Sequence, residues 1–107
     1  MIDDWRHALM FVVGMFFIFT AHATDEGEAL TKTKRCYACH ADSETLIGPP
    51  YKAIALFHAA NKEVMVDVLA RKIIFGGAGN WGIVPMVPND HVTLEEARVI
   101  AEWILNQ

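Results

Sequence analysis

A chain of 107 residues has room for one domain. Its 9 Lys/Arg against 13 Asp/Glu leave a formal net charge of −4, which excludes the basic surface expected of a nucleic-acid-binding protein. Two cysteines are too few for the disulfide framework that staples many small secreted domains.

Taken in chain order, the first feature is the apolar run ALMFVVGMFFIFTA, Ala8 to Ala21, closed by Ala21-His22-Ala23. It reads as the hydrophobic region and A-x-A cleavage site of a secretory signal spanning residues 1–23, with the domain proper at 24–107. The run is short for a membrane span, which takes about 20 apolar residues. Asp3 and Asp4 beside Arg6 leave the extreme N-terminus without a clear positive charge, so retention of the segment as a membrane anchor is the alternative. Export to the periplasm is the expectation under both readings.

Residues 24–107 hold 8 Lys/Arg and 11 Asp/Glu. A domain of this size is marginal on its hydrophobic core alone. A disulfide between Cys36 and Cys39 would close a tiny loop and constrain the unfolded chain very little. Something other than a disulfide must complete the core.

Four helical segments are expected. The first is DEGEALTKTKRCYACH, Asp25 to His40, polar at its start and running into the cysteines. A short one, YKAIALFH, follows Gly48-Pro49-Pro50. The third, KEVMVDVLARKIIF, places Val64, Val68 and Leu69 on one face and stops at Gly76-Gly77. A glycine- and proline-rich loop, GGAGNWGIVPMVPNDH, leads to the last, VTLEEARVIAEWILNQ. That helix opens with a capping box, Thr93 as N-cap and Glu96 three residues on. Its apolar positions Leu94, Ala97, Ile100, Ala101, Ile104 and Leu105 follow helical spacing. No strand pattern appears, and the fold class is all-α.

The chemistry concentrates in RCYACH. A zinc site needs four ligands, and His58 and His91 stand alone and far apart. A thioredoxin-like dithiol wants a βαβ context, and no strand precedes Cys36. The pattern C-x-x-C-H reads as attachment of one c-type haem through Cys36 and Cys39. Two thiols add to the two porphyrin vinyl groups, and the adjacent His40 is thereby held beneath the iron as an axial ligand. For the sixth ligand the candidates are Met65, Met86, His58 and His91. Met65 lies among valines in a helix, the setting of a buried core methionine. His58 and His91 read as surface or helix-end residues. Met86 sits in a loop between Pro85 and Pro88, whose fixed φ limits backbone movement. A thioether held in that way suits haem iron, and Met/His ligation raises the reduction potential.

RCYACH, IGPPYKAIA, NWGIVPMVPN and EEARVIAEWIL together resemble the small bacterial class I cytochromes c, over nearly all of Glu28 to Gln107. The resemblance implies about four helices wrapped around one covalently bound haem. It implies a periplasmic one-electron carrier rather than an enzyme, working between redox protein partners such as a cytochrome complex, a nitrite reductase or a terminal oxidase. It makes His40 and Met86 the axial pair and assigns the Pro49 carbonyl to the other His40 nitrogen. By the same resemblance Trp81 and Lys72 lie near the haem propionates, Asn89 supports the Met86 loop, and Leu46, Ile47, Leu69 and Ile73 line the pocket.

The chain departs from the family pattern in places. Val87 replaces the first inner proline of P-M-P-P-N, which predicts a less stiff Met86 loop. Arg35 stands where a glycine often precedes the first cysteine, and Thr31 replaces an aromatic in the first helix. Ile74 and Phe75 are apolar where polar residues are common; packing into the core is expected, an apolar docking patch being the alternative. A permanently complexed or membrane-tethered electron-transfer subunit is a second functional reading. A small peroxidase or a gas sensor is a third, but each would need an open or labile sixth position, and Met86 argues against one.

Overall fold

The computed structural model describes residues 22–107. The expected secretory segment therefore lies, but for its last two residues, outside the described part. Four α-helices follow in order: α1 (His22–Thr33), α2 (Tyr51–Phe57), α3 (Lys62–Phe75) and α4 (Leu94–Leu105), with a single turn of 3-10 helix at Cys36–Ala38. The described residues contain no strand, only an isolated antiparallel bridge between Gly77 and Met86. No helix among them is long and apolar enough to cross a membrane.

The last helix organises the rest. Its N-cap is the expected capping box: the Glu96 N–H donates to Thr93 Oγ1 at 3.1 Å, and the Thr93 N–H donates to Glu96 Oε1 at 3.0 Å. Ala97, Ile100, Ala101, Trp103, Ile104 and Leu105 are buried, and α4 packs against α1, α2 and α3. The core it joins includes Tyr51 and Ile54 from α2, and Ala70 and Ile73 from α3.

The α1–α4 crossing is unusually close. A Cβ on Gly27 would lie 2.3 Å from Trp103 Cβ, so only glycine lets the two backbones approach this far. One turn on, Thr31 is fully buried, and its hydroxyl donates to the Glu28 carbonyl at 2.6 Å. With a small residue at 31 on α1, the bulk at the crossing is the indole of Trp103 on α4.

Two expectations, the reach of the first helix and the burial of Met65, need correction. The first helix does not run to His40. It ends at Thr33, because Arg35 adopts the left-handed conformation (φ 64, ψ 27) and breaks the ladder before the cysteines. Val64 and Val68 share a face, but it is exposed; α3 buries Ala70 and Ile73 and half-buries Leu69. Met65 is half-buried rather than a core methionine. As for the apolar pair at the end of α3, Ile74 packs on the core whereas Phe75 is 73% exposed.

Candidate haem site

The break at Arg35 creates the first half of the site. The Ala38 N–H donates back to Arg35 O, and both the Cys39 and His40 N–H groups donate to Cys36 O, at 3.2 and 3.0 Å. Cys36, Cys39 and His40 thus project from a single tight turn. Both thiols are free and half-buried. Burial pushes the Cys36 thiol above its ordinary value, and the neighbouring Cys39 adds to the effect.

The segment 46–52 folds back along this turn. Gly48 N–H donates to Cys39 O at 2.8 Å, Tyr51 N–H to Ala41 O at 2.9 Å, and Lys52 N–H to Asp42 O at 3.1 Å. The fold-back brings the Pro49 carbonyl to 2.7 Å from His40 Nδ1. A carbonyl can only accept, so Nδ1 carries the proton and Nε2 is left with its lone pair for a metal. Gly48 is pressed onto the imidazole: a Cβ there would lie 2.5 Å from Cε1 and within 3.0 Å of both ring nitrogens.

The second half is built at the end of α3. Gly76 (φ 67) and Gly77 (φ 124) turn the chain out of the helix in conformations that side chains rarely adopt. Gly77 and Met86 then exchange two backbone hydrogen bonds, at 2.9 and 2.8 Å. Asn89 ties the outgoing strand of this loop to α3: its side-chain amide donates to Ile73 O at 2.9 Å and to Val87 O at 3.3 Å, and its N–H is shared between Ile73 O and Ile74 O. Lys72 reaches back over Gly77.

Cys36, Leu69 and Met86 all pack against the same core cluster, which contains Tyr51 and Ile73. Cys36, Cys39, His40 and Pro49 are thus brought together by the cysteine turn and its fold-back, and Met86, Asn89 and Lys72 by the turn at the end of α3, with Cys36 and Met86 both resting on that core. Leu46 and Ile47 are exposed beside the His40 turn. Trp81 lies in the loop between Gly77 and Met86. Its ring meets Phe57 edge-on at 5.4 Å, and Phe57 in turn meets His58 at 4.9 Å. Tyr51 was not legible as a site residue: its ring stacks on His40 at 5.7 Å with 21° between the planes. Only its place just after Gly-Pro-Pro hinted at it.

Among the described residues, no three His, Cys, Asp or Glu side chains gather around a common point. A protein-only zinc centre therefore has no ligand set there. The residues do fit a haem. They offer two free thiols on one turn, an imidazole with Nε2 unspent, and a soft thioether pinned by backbone bonds. The segments flanking these donors carry exposed apolar side chains, with Ile47 67% and Ile83 95% accessible, which is surface that a porphyrin would cover.

No family model matches the chain. It is 46% identical over 81 residues to cytochrome c-551 of Azotobacter vinelandii, covering 76% of this chain and 96% of that protein. It is 44% identical over 101 residues to cytochrome c-552 of Hydrogenobacter thermophilus, covering 94% of this chain and 96% of its relative. The crystal structure of Nitrosomonas europaea cytochrome c552 superposes with a TM-score of 0.70 at 39% identity, covering 74% of this chain and 96% of that one. On this identity, this coverage and this shared helical fold, the chain belongs to the cytochrome c-551/c-552 family of small class I cytochromes c, electron carriers with one covalently bound haem.

Proposed function

We propose that the protein works in the periplasm as a freely diffusing one-electron carrier and not as an enzyme, with Cys36 and Cys39 bound to the haem and His40 and Met86 as its axial ligands. The haem supplies a single-electron couple. The protein's part is to hold both axial donors still. The observation that carries the reading is the 2.7 Å bond from His40 Nδ1 to the Pro49 carbonyl, which fixes the tautomer and leaves the Nε2 lone pair for the iron. On the other side, the Gly77–Met86 bridge and Asn89 restrain the thioether. Donors that hold still in both oxidation states keep rearrangement small, which suits a carrier.

Lys72 and Trp81 are assigned to the propionate edge, and Leu46, Ile47, Leu69 and Ile73 to the pocket lining, on the resemblance. The partners in this reading are a donor and an acceptor protein, such as a cytochrome complex, a nitrite reductase or a terminal oxidase. Mass spectrometry should find one haem attached and the chain beginning near Thr24. The ferric protein should show the weak near-infrared band of sulfur ligation, and Met86→Ala should abolish it, lower the potential and admit carbon monoxide. Rapid binding of carbon monoxide by the unmodified ferrous protein would instead favour a sensor or peroxidase.

A further inference from the structure

Tyr51 lies at the head of α2 and is 1% exposed. Its hydroxyl is buried and has no hydrogen-bond partner among the described residues, and burial raises the phenol well above its ordinary value. A buried, unsatisfied hydroxyl is costly, on the order of 1–3 kcal/mol. Phenylalanine would fill the same space without that cost, so the hydroxyl adds nothing to the core and what the residue contributes comes from its ring. The ring itself has a more direct task.

The imidazole of His40 is held by one hydrogen bond, from Nδ1 to Pro49 O at 2.7 Å. One bond fixes a point on the ring and leaves the plane free to rock about it. Two further contacts remove that freedom. The backbone of Gly48 covers the ring, since a Cβ there would be nearly equidistant from Cε1, Nδ1 and Nε2, at 2.5, 2.9 and 3.0 Å. The Tyr51 ring stacks on it at 5.7 Å and 21°, within the range of an offset aromatic pair. Tyr51 is itself immobilised, by edge-on contacts with Tyr37 at 5.5 Å and Trp103 at 5.1 Å and by its N–H donating to Ala41 O.

We infer that Tyr51 is a positioning residue for the axial histidine: its ring sets the plane of the His40 imidazole, and its hydroxyl is dispensable for that task. The inference rests on His40 being an iron ligand. The orientation of an axial imidazole plane governs how unpaired spin is spread over the porphyrin of a low-spin ferric haem. The four haem-methyl proton shifts of the ferric protein therefore read it directly.

Tyr51→Phe keeps the ring and should leave the methyl-shift pattern as in the unmodified protein. Tyr51→Leu removes the plane and should redistribute the four shifts. Leu105→Ala, a fully buried change in α4, should lower the melting temperature without altering the pattern. A folded Tyr51→Leu protein with the unmodified pattern overturns the inference, and so does a pattern that follows the hydroxyl by changing equally in Tyr51→Phe. Should Tyr51→Leu not fold, Tyr51→Met and Tyr51→Ile give the same readout. If the unmodified ferric protein lacks the hyperfine-shifted signals of a bound imidazole, the ligand assignment of His40 fails instead, and the two failures are distinguishable.

Discussion

Replacing Gly27 by alanine tests the close crossing on which the fold depends. Alanine is the better helix former, worth about 1 kcal/mol at an interior position. On propensity alone the substitution in α1 should stabilise. The added methyl, however, would lie 2.3 Å from Trp103 Cβ and 2.8 Å from Cγ. Carbon atoms prefer about 3.5–4.0 Å. Relief cannot come from a side-chain rotation, because the obstructing atom is next to the α4 backbone; the two helices must part by about 1 Å or more. Overpacking of this kind costs about 1–3 kcal/mol and occasionally more. With a contact as short as 2.3 Å the cost belongs in the upper half of that range, about 2–3 kcal/mol, and the net expectation after the helix gain is a loss of about 1–2 kcal/mol. For a domain of this size that lowers the melting temperature by roughly 4–15 °C. Thermal unfolding of the holoprotein followed by circular dichroism measures it. Trp103→Leu should be costly alone but less so in the Gly27→Ala background, since the pair is in direct contact. A melting temperature that is unchanged or raised by Gly27→Ala would refute the steric argument.

Other substitutions bear on separate features. Glu96 is held below the usual carboxylate range, first by the Thr93 backbone N–H and then by Lys34 at 3.1 Å. Its contribution is thus present above the ordinary carboxyl pKa and fades as pH falls through the lowered one. The stability gap between the unmodified protein and Glu96→Gln should be open at pH 6 and narrow steadily as the pH is lowered below the ordinary carboxyl range in urea titrations. Met65→Ala should cost about 1–2 kcal/mol, below the range for a fully buried methionine, and should leave the near-infrared band intact. Arg35→Gly should raise stability by about 0.5–1 kcal/mol, since left-handed backbone is free to glycine but costs other residues about 1–2 kcal/mol. A loss of stability in chemical unfolding would show that Arg35 makes a compensating contact. Val87 donates no backbone hydrogen bond among the described residues, and Met86 is held in its bridge, so Val87→Pro should be accepted. It should add about 0.4–1 kcal/mol and slow the entry of cyanide into the ferric protein.

Much of the fold was readable because its punctuation is local. Asn61 and Gly76 bound α3 where the sequence places its ends, and the Thr93–Glu96 capping box opens α4. The break before the cysteines was not readable, because arginine carries no signal for left-handed backbone. The one clue was that glycine often occupies that position in the family, and φ 64 gives the reason. Helical periodicity correctly grouped Val64 with Val68, but spacing tells which residues share a face and not what the face meets. Of the candidate site, the motif residues were legible through their chemistry. The contribution of Tyr51 was not, since stacking depends on how segment 46–52 folds back on the cysteine turn.

The Gly77–Met86 bridge has a consequence for slow motions. Its two backbone bonds, with those of Asn89, close residues 78–85 into a hairpin-like flap that carries no charged side chain. A flap closed by so few bonds can open as a cooperative unit while α3 and α4 stay folded. Release of the thioether and exposure of the Gly77 and Met86 amides would then be one event with one free energy. With Met86 as the proposed axial ligand, deuterium uptake at those two amides should slow when the thioether is bound to iron, and comparing the two oxidation states would test that ligation from the protein's side.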